Sequence, residues 1–130
     1  MGSQAMQAKL WGQQPKDWAT IQEPTAKSGF EHALDFIKLK STDKLLEVGC
    51  GTGLFISLAA KSGANITGFD ATKPFIEEAK LRNPSVTFLV GEMEDLPFAD
   101  STFDVVTGFN SFQYAADVKN ALSEAKRVLK

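Results

Sequence analysis

Glu47-Val48-Gly49-Cys50-Gly51-Thr52-Gly53 decides how the chain is read. Upstream, Leu45-Leu46-Glu47-Val48 is a short strand-like run that stops at Gly49. Downstream, Leu54, Phe55, Leu58 and Ala59 fall at helical spacing, and Gly63 sits where a left-handed C-cap is expected. The glycines thus lie between a strand and a helix. A bare backbone turn in that setting lets a ligand approach without meeting a Cβ and offers it the unpaired N–H groups of a helix start.

Outward from the loop, the same alternation repeats. A second strand covers residues 65–69 and ends at Asp70, and Phe75, Ile76 and Ala79 mark a helix stopped by Asn83-Pro84. Residues 86–90 are β-rich and form the third strand, residues 103–107 the fourth. Val118, Ala121, Leu122, Ala125, Val128 and Leu129 give a closing amphipathic helix. Before the loop, Phe30, Ala33, Leu34 and Ile37 share one helical face, broken by Ser41-Thr42-Asp43. The expected fold is α/β: a Rossmann-like, doubly wound sheet of about four parallel strands flanked by helices. Residues 1–27, Gln-rich with Pro15, Pro24, Trp11 and Trp18, read as an irregular arm or lid with short helical pieces; residues 28–130 form the domain.

Composition narrows the function classes. The 130 residues suit one domain, with 14 Lys+Arg against 16 Asp+Glu and a net charge of -2, so no nucleic-acid footprint is expected. A hydrophobic fraction of 43% and a charged fraction of 23% exclude a disordered tail as the main content. The longest apolar run, Leu54 to Ala60, stops at Lys61, far short of the ~20 residues that span a bilayer, so no membrane partner is expected. Cys50 is the single cysteine, which excludes an internal disulfide and a multi-cysteine zinc site. No metal site is expected, and a reducing, cytoplasmic setting is. The opening stretch lacks the apolar segment of a secretory signal.

The glycine spacing then narrows the ligand. A dinucleotide fingerprint, G-x-G-x-x-G, needs glycine at 54, where the chain has Leu, and a P-loop needs a Lys after its last glycine, where none follows Gly53. A nucleoside without a pyrophosphate fits better than either. Asp70, 19 residues beyond Gly51, ends the second strand, where a carboxylate can accept two hydrogen bonds from a ribose diol; the competing reading is a turn or cap aspartate ahead of the next helix. After the third strand, Gly91-Glu92-Met93-Glu94-Asp95-Leu96-Pro97-Phe98 offers an acceptor for an adenine amino group and a methionine to pack on the purine; the competing reading is an acidic solvated loop.

Taken together, Leu45–Gly53, Gly68-Phe69-Asp70, residues 91–98 and Ser101-Thr102-Phe103-Asp104-Val105-Val106 closely resemble class I S-adenosylmethionine-dependent methyltransferases, in order and spacing, over roughly residues 28–130. The arm, with Trp11-Gly12, Asp17-Trp18-Ala19 and Gln22-Glu23-Pro24, looks like the opening segment of small-molecule members. The resemblance implies a methyltransferase that uses S-adenosyl-L-methionine, releases S-adenosyl-L-homocysteine and acts on a small-molecule acceptor. It implies that Gly49, Gly51 and Gly53 meet the methionine part of the cofactor, with Cys50 in the same loop and Glu47 beneath, organising the ammonium. Asp70 would hold the ribose, Ala71 would lie beside the adenine, and Glu92 and Met93 would face its rim. Gly108 and Phe109 would line the methionine end. Glu92 stands where the family commonly has Asp. Trp11, Trp18 and Tyr114 are the candidates for the lid and acceptor side. No residue is assigned as a catalytic base: His32, the only histidine, lies next to the apolar face of the first helix.

Family members typically continue past this point with a fifth strand and an antiparallel hairpin. Four strands where seven are expected imply a truncated form of the fold, with the fourth strand as an open edge prone to self-association. Three other readings stand beside the methyltransferase: a cofactor-binding fragment without turnover, a non-enzymatic interaction module on the same fold, and an NAD-binding oxidoreductase domain, disfavoured by Leu54.

Overall fold

A computed structural model describes residues 2–130. Four parallel strands form one sheet in the order β3-β2-β1-β4. They are β1 (Lys44–Val48), β2 (Asn65–Asp70), β3 (Thr87–Val90) and β4 (Val105–Thr107). β1 pairs with β2 from Lys44 opposite Asn65 to Val48 opposite Phe69, and with β4 from Leu45 opposite Val105 to Glu47 opposite Thr107. Since β2 and β4 flank β1 on opposite sides, the strand order reverses beside its carboxyl end, which opens a crevice there.

The central strand is buried along nearly its whole length, and alternation assigns its side chains to two cores. Leu45 packs with Phe55, Ile56, Ile66, Ile76 and Phe88 under three helices: α3 (Lys27–Ile37), α4 (Leu54–Ala59) and α5 (Lys73–Arg82). Leu46 and Val48 face the other way, against Phe69, Leu96, Phe103 and Ala121, beneath α6 (Val118–Val128). The expected two-sided α/β layering is present. Glu47 belongs to the first face, an acid among apolar neighbours, and it is only 2% exposed.

Helix ends follow the residues that announced them. Gly63 closes the turn after α4 with φ +78°, and α5 stops at Arg82 ahead of Pro84. Two boundaries differ from expectation. β4 is shorter, because Phe103 does not pair with β1: it bridges in parallel to Leu129, and Lys130 N–H donates to its carbonyl at 2.9 Å. The far side of Val105–Thr107 carries no strand among the described residues.

The second difference is larger. The arm is not irregular. After α1 (Gln4–Trp11), the backbone is helical without a break from Pro15 to Ile37. It passes through α2 (Pro15–Asp17), a π segment (Trp18–Gln22) and a 3-10 turn (Glu23–Ala26) into α3. Pro15 sits at the first position of α2, where a missing N–H costs nothing. Pro24, inside the helical run, removes a donor directly after the π segment, whose last bond runs from Glu23 N–H to the Trp18 carbonyl.

Candidate functional site

The loop after β1 takes its shape from glycine. Gly49, Gly51 and Gly53 have φ of +78°, +56° and +91°. A Cβ on Gly49 would stand 2.3 Å from the Cβ of Ser111, so both the torsion and the space exclude a side chain. The loop is tied to the neighbouring strand: the N–H groups of Gly49 and Cys50 both donate to the Phe69 carbonyl, at 2.7 and 3.0 Å. Ser111 Oγ donates to the Val48 carbonyl at 2.8 Å and joins the segment after β4 to the same point.

Asp70 completes the turn. Its Oδ2 accepts from Gly51 N–H at 2.9 Å and its Oδ1 from Thr72 N–H at 2.8 Å. The turn reading of this residue is what the structure shows: it braces the glycine loop and the start of α5, and each oxygen keeps a lone pair to spare. Burial pushes its carboxyl above the ordinary 3.8, while the backbone hydrogen bonds pull it back.

Two adjoining clefts flank the loop. The first holds about 100 Å³ and is open to solvent on one side. It is lined by Gly49, Gly51, Asp70, Ala71, Glu92 and Met93 from the sheet's carboxyl edge, with Phe109 and Tyr114 opposite and Trp11 and Trp18 above. The second holds about 250 Å³ and is lined by Glu47, Cys50, Phe55 and Phe109, with Gln22, Glu23 and Phe30 closing it. Gly49, Gly51, Trp18, Phe109 and Asn110 line both, so the glycine loop is the partition between two halves of one elongated site.

Most of the expected site residues therefore meet at one place, and two do not. Gly53 lines neither cleft; its backbone packs against α5, where a Cβ would lie 3.2 Å from the Cβ of Ala79. Gly108 also lines neither: the ring of Phe112 lies where its Cβ would be, at 2.2 Å. Glu92 reaches the first cleft, but its carboxylate is engaged, accepting from Gln4 N–H at 2.7 Å and Glu94 N–H at 3.1 Å. Met93, 9% exposed, offers the cleft an apolar wall. His32 is exposed on α3 and lines neither cleft.

Electrostatics single out the second cleft. Glu47 Oε2 is buried without a hydrogen-bond partner. Burial, then the charges of Glu23 and Asp70, holds its carboxyl well above the ordinary 4.5. Burial likewise pushes the Cys50 thiol up, and the neighbouring carboxylates add to it, which leaves an inert packing residue. No Lys, Arg or His lines either cleft. The two clefts therefore offer carboxyl groups and aromatic walls without a cationic side chain.

Sequence reasoning missed several lining residues, Gln22, Asn110 and Ser111 among them, and three from the arm matter most. Ser3 lines the first cleft, Gln7 lines it and donates through Nε2 to the Tyr114 carbonyl at 3.1 Å, and Glu23 enters the second. All three come from the arm, where no periodicity marked an inward face.

Fold and site together define a nucleoside-binding α/β domain with an acidic, cation-seeking end. Comparison with known proteins says which. The family described as "Methyltransferase domain" matches residues 46–130. A demethylmenaquinone methyltransferase of Chlorobaculum parvum is 36% identical over 88 residues, covering 67% of this chain and 36% of that protein. A malonyl-[acyl-carrier protein] O-methyltransferase of Serratia marcescens is 30% identical over 86 residues, covering 66% and 34%. Among solved structures, the YcgJ protein of Bacillus subtilis superposes with a TM-score of 0.73 at 29% identity, covering 79% of this chain and 46% of that one. The chain belongs to the class I S-adenosylmethionine-dependent methyltransferases. It spans about a third of the length of the curated relatives it matches.

The residues present fit the family's cofactor. The partnerless Glu47 oxygen suits an ammonium, the outward lone pairs of Asp70 suit a ribose diol, and Met93 suits a purine face.

Proposed function

We propose that this chain forms the donor-binding part of an enzyme that transfers the methyl group of S-adenosylmethionine to a small-molecule acceptor. The observation that carries the reading is the pairing of Glu47, a buried carboxyl group with one oxygen lacking any partner, with Asp70, across one glycine turn. The names of the relatives, which methylate a demethylated menaquinone or an acyl-carrier-bound malonyl group, support a metabolite acceptor for this chain as well.

The cofactor supplies an already activated methyl group on a positively charged sulfur. The chain's own residues bind and orient. Glu47 holds the amino end, Asp70 the sugar and Met93 the base. Gly49 and Gly51 keep the partition thin, so a donor can lie across both clefts. Trp11, Trp18 and Tyr114 cover the first cleft as an edge-to-face cluster, with ring centroids 5.2 Å apart for the two tryptophans and 5.5 Å for Trp11 and Tyr114. That cover narrows the opening and limits the direction of approach. The acceptor side is the aromatic wall of the second cleft, where Phe30, Phe55 and Phe109 pack with centroids 4.8 to 5.5 Å apart. No catalytic base is assigned; the proton-accepting groups at hand are carboxylates.

A cytoplasmic setting fits the lone, buried and unreactive cysteine. The free side of β4 supports pairing with a second copy; sedimentation as a monomer at all concentrations would dismiss that.

Both tryptophans line the site, so intrinsic fluorescence reads binding directly. Titration with S-adenosylhomocysteine should change the emission and raise the melting temperature, with about 2.7 kcal/mol of stabilisation at a hundredfold excess over Kd. No response to it, alongside a response to NAD, would replace the reading with an oxidoreductase domain. Radiolabelled methyl transfer to metabolite extracts then separates an enzyme from a binding domain.

A further inference from the structure

Glu23 is the one acidic side chain that the arm delivers into the site. It is 6% exposed although it lies in the 3-10 turn of a surface helix. Its Oε2 accepts from Thr52 N–H, in the glycine loop, at 3.1 Å, and its Oε1 meets the Arg82 guanidinium of α5 at 2.5 Å. A Cβ on Gly51 would lie 3.2 Å from that same Oε2. Glu23 therefore stands against the partition where the two clefts join, and it lines the second cleft with Glu47, whose own Oε2 is buried and partnerless. Arg82 offsets part of its charge, but that side chain is 30% exposed and lines neither cleft.

The donor and its demethylated product differ by one methyl group and one positive charge on sulfur. Their ammonium, carboxylate, ribose and adenine are the same, so contacts to those groups cancel when the two are compared. The sulfur joins the ribose to the amino-acid chain; with the ribose at Asp70 and the ammonium at Glu47, it would fall at the junction of the clefts, where Gly51 lines both.

We propose that Glu23 is a specificity-determining residue, whose carboxylate at the junction makes the site favour the charged sulfonium donor over the neutral thioether product. The inference rests on the cofactor reading above. In a buried site an opposite charge at short range outweighs the contact area of one methyl group. The same charge that gathers the donor releases the product after transfer, when the sulfur has become neutral. The arm thus serves as more than a cover: it carries one of the charges that separate the two ligands.

The test is the ratio of two affinities in Glu23→Gln. Gln keeps an acceptor for Thr52 N–H and removes the charge. Calorimetry with S-adenosylmethionine and S-adenosylhomocysteine should show the donor weakened about tenfold and the product changed less than about threefold. Arg82→Gln, which removes the offsetting cation, should move the ratio the other way and gives a second reading if Glu23→Gln folds poorly. Equal weakening of both ligands in Glu23→Gln would make Glu23 a mechanical latch and overturn the inference while leaving the cofactor reading intact. A wild-type chain that binds neither ligand would overturn both.

Discussion

The glycine loop and the N-terminal arm meet at the same cleft and are made in opposite ways. The loop acts through its backbone: positive φ at three glycines, two N–H groups on the Phe69 carbonyl, one on Asp70. The arm acts through the ends of its side chains: Glu23 on Thr52 and Arg82, Gln7 on the Tyr114 carbonyl, Trp11 and Trp18 over the opening. No residue of α1 is fully buried, whereas Leu45, Leu46 and Val48 of β1 are completely so. A segment that buries little opens at low cost, and one sewn into the central strand opens only with the whole domain. The floor of the site is therefore fixed, and its cover is separable from it.

Three substitutions would break or sharpen that contrast. Gly49→Val should have the largest effect. The left-handed torsion and the clash with Ser111 together should cost about 3 kcal/mol or more, read as a collapse of the thermal transition. A variant that melts like wild type would mean that the loop is not the rigid part. Asp70→Asn comes next. Its amide must point a donor at either Gly51 N–H or Thr72 N–H, and it loses the charge on the ribose side. Affinity for S-adenosylhomocysteine should fall about 10- to 100-fold, the range for a hydrogen bond to a charged group, measured by calorimetry.

Glu47→Gln should have the smallest effect on the free chain, and a sign opposite to intuition. The folded-state carboxyl is held well above 4.5, so the folded chain keeps a proton that the unfolded chain has released. Stability therefore falls as pH rises from 4.5 through the folded value, and Asp70, raised in the same direction, adds to the slope. The Gln variant loses the Glu47 share. It should be more stable than wild type at pH about 7, with the difference shrinking toward pH about 4 in urea melts. Its ligand affinity should drop all the same. A variant less stable than wild type at neutral pH would show that Glu47 is satisfied in the free chain after all.

The contrast also explains what could be read from the residues alone. Backbone-built features leave marks in sequence: glycine at 49, 51 and 53 has few other uses, and an acid at the end of β2 has few other partners. The parallel layering was legible because alternating strand and helix patterns admit few topologies. Features built from side-chain ends leave none. Ser3, Gln7 and Glu23 are common residues on a helical arm, and only the fold brings them to the clefts. Gly108 was misjudged for a related reason: it follows a strand, as a ligand-facing glycine would, but its missing Cβ makes room for Phe112. The start of the fourth strand was set by pairing between Phe103 and Leu129, which local pattern does not encode.

The π segment at Trp18–Gln22 holds more backbone per turn than the helices on either side. It lies between Glu23, fastened to the glycine loop, and Trp11, resting on Tyr114. In a regular helix the loss of one residue swings everything before it by roughly 100° about the axis. Here the loss can be taken up by the wide turn, which relaxes to ordinary helix with the flanking register kept. The stretch therefore carries one residue of slack, and the tryptophans would stay over the opening through a one-codon loss that would unseat them elsewhere.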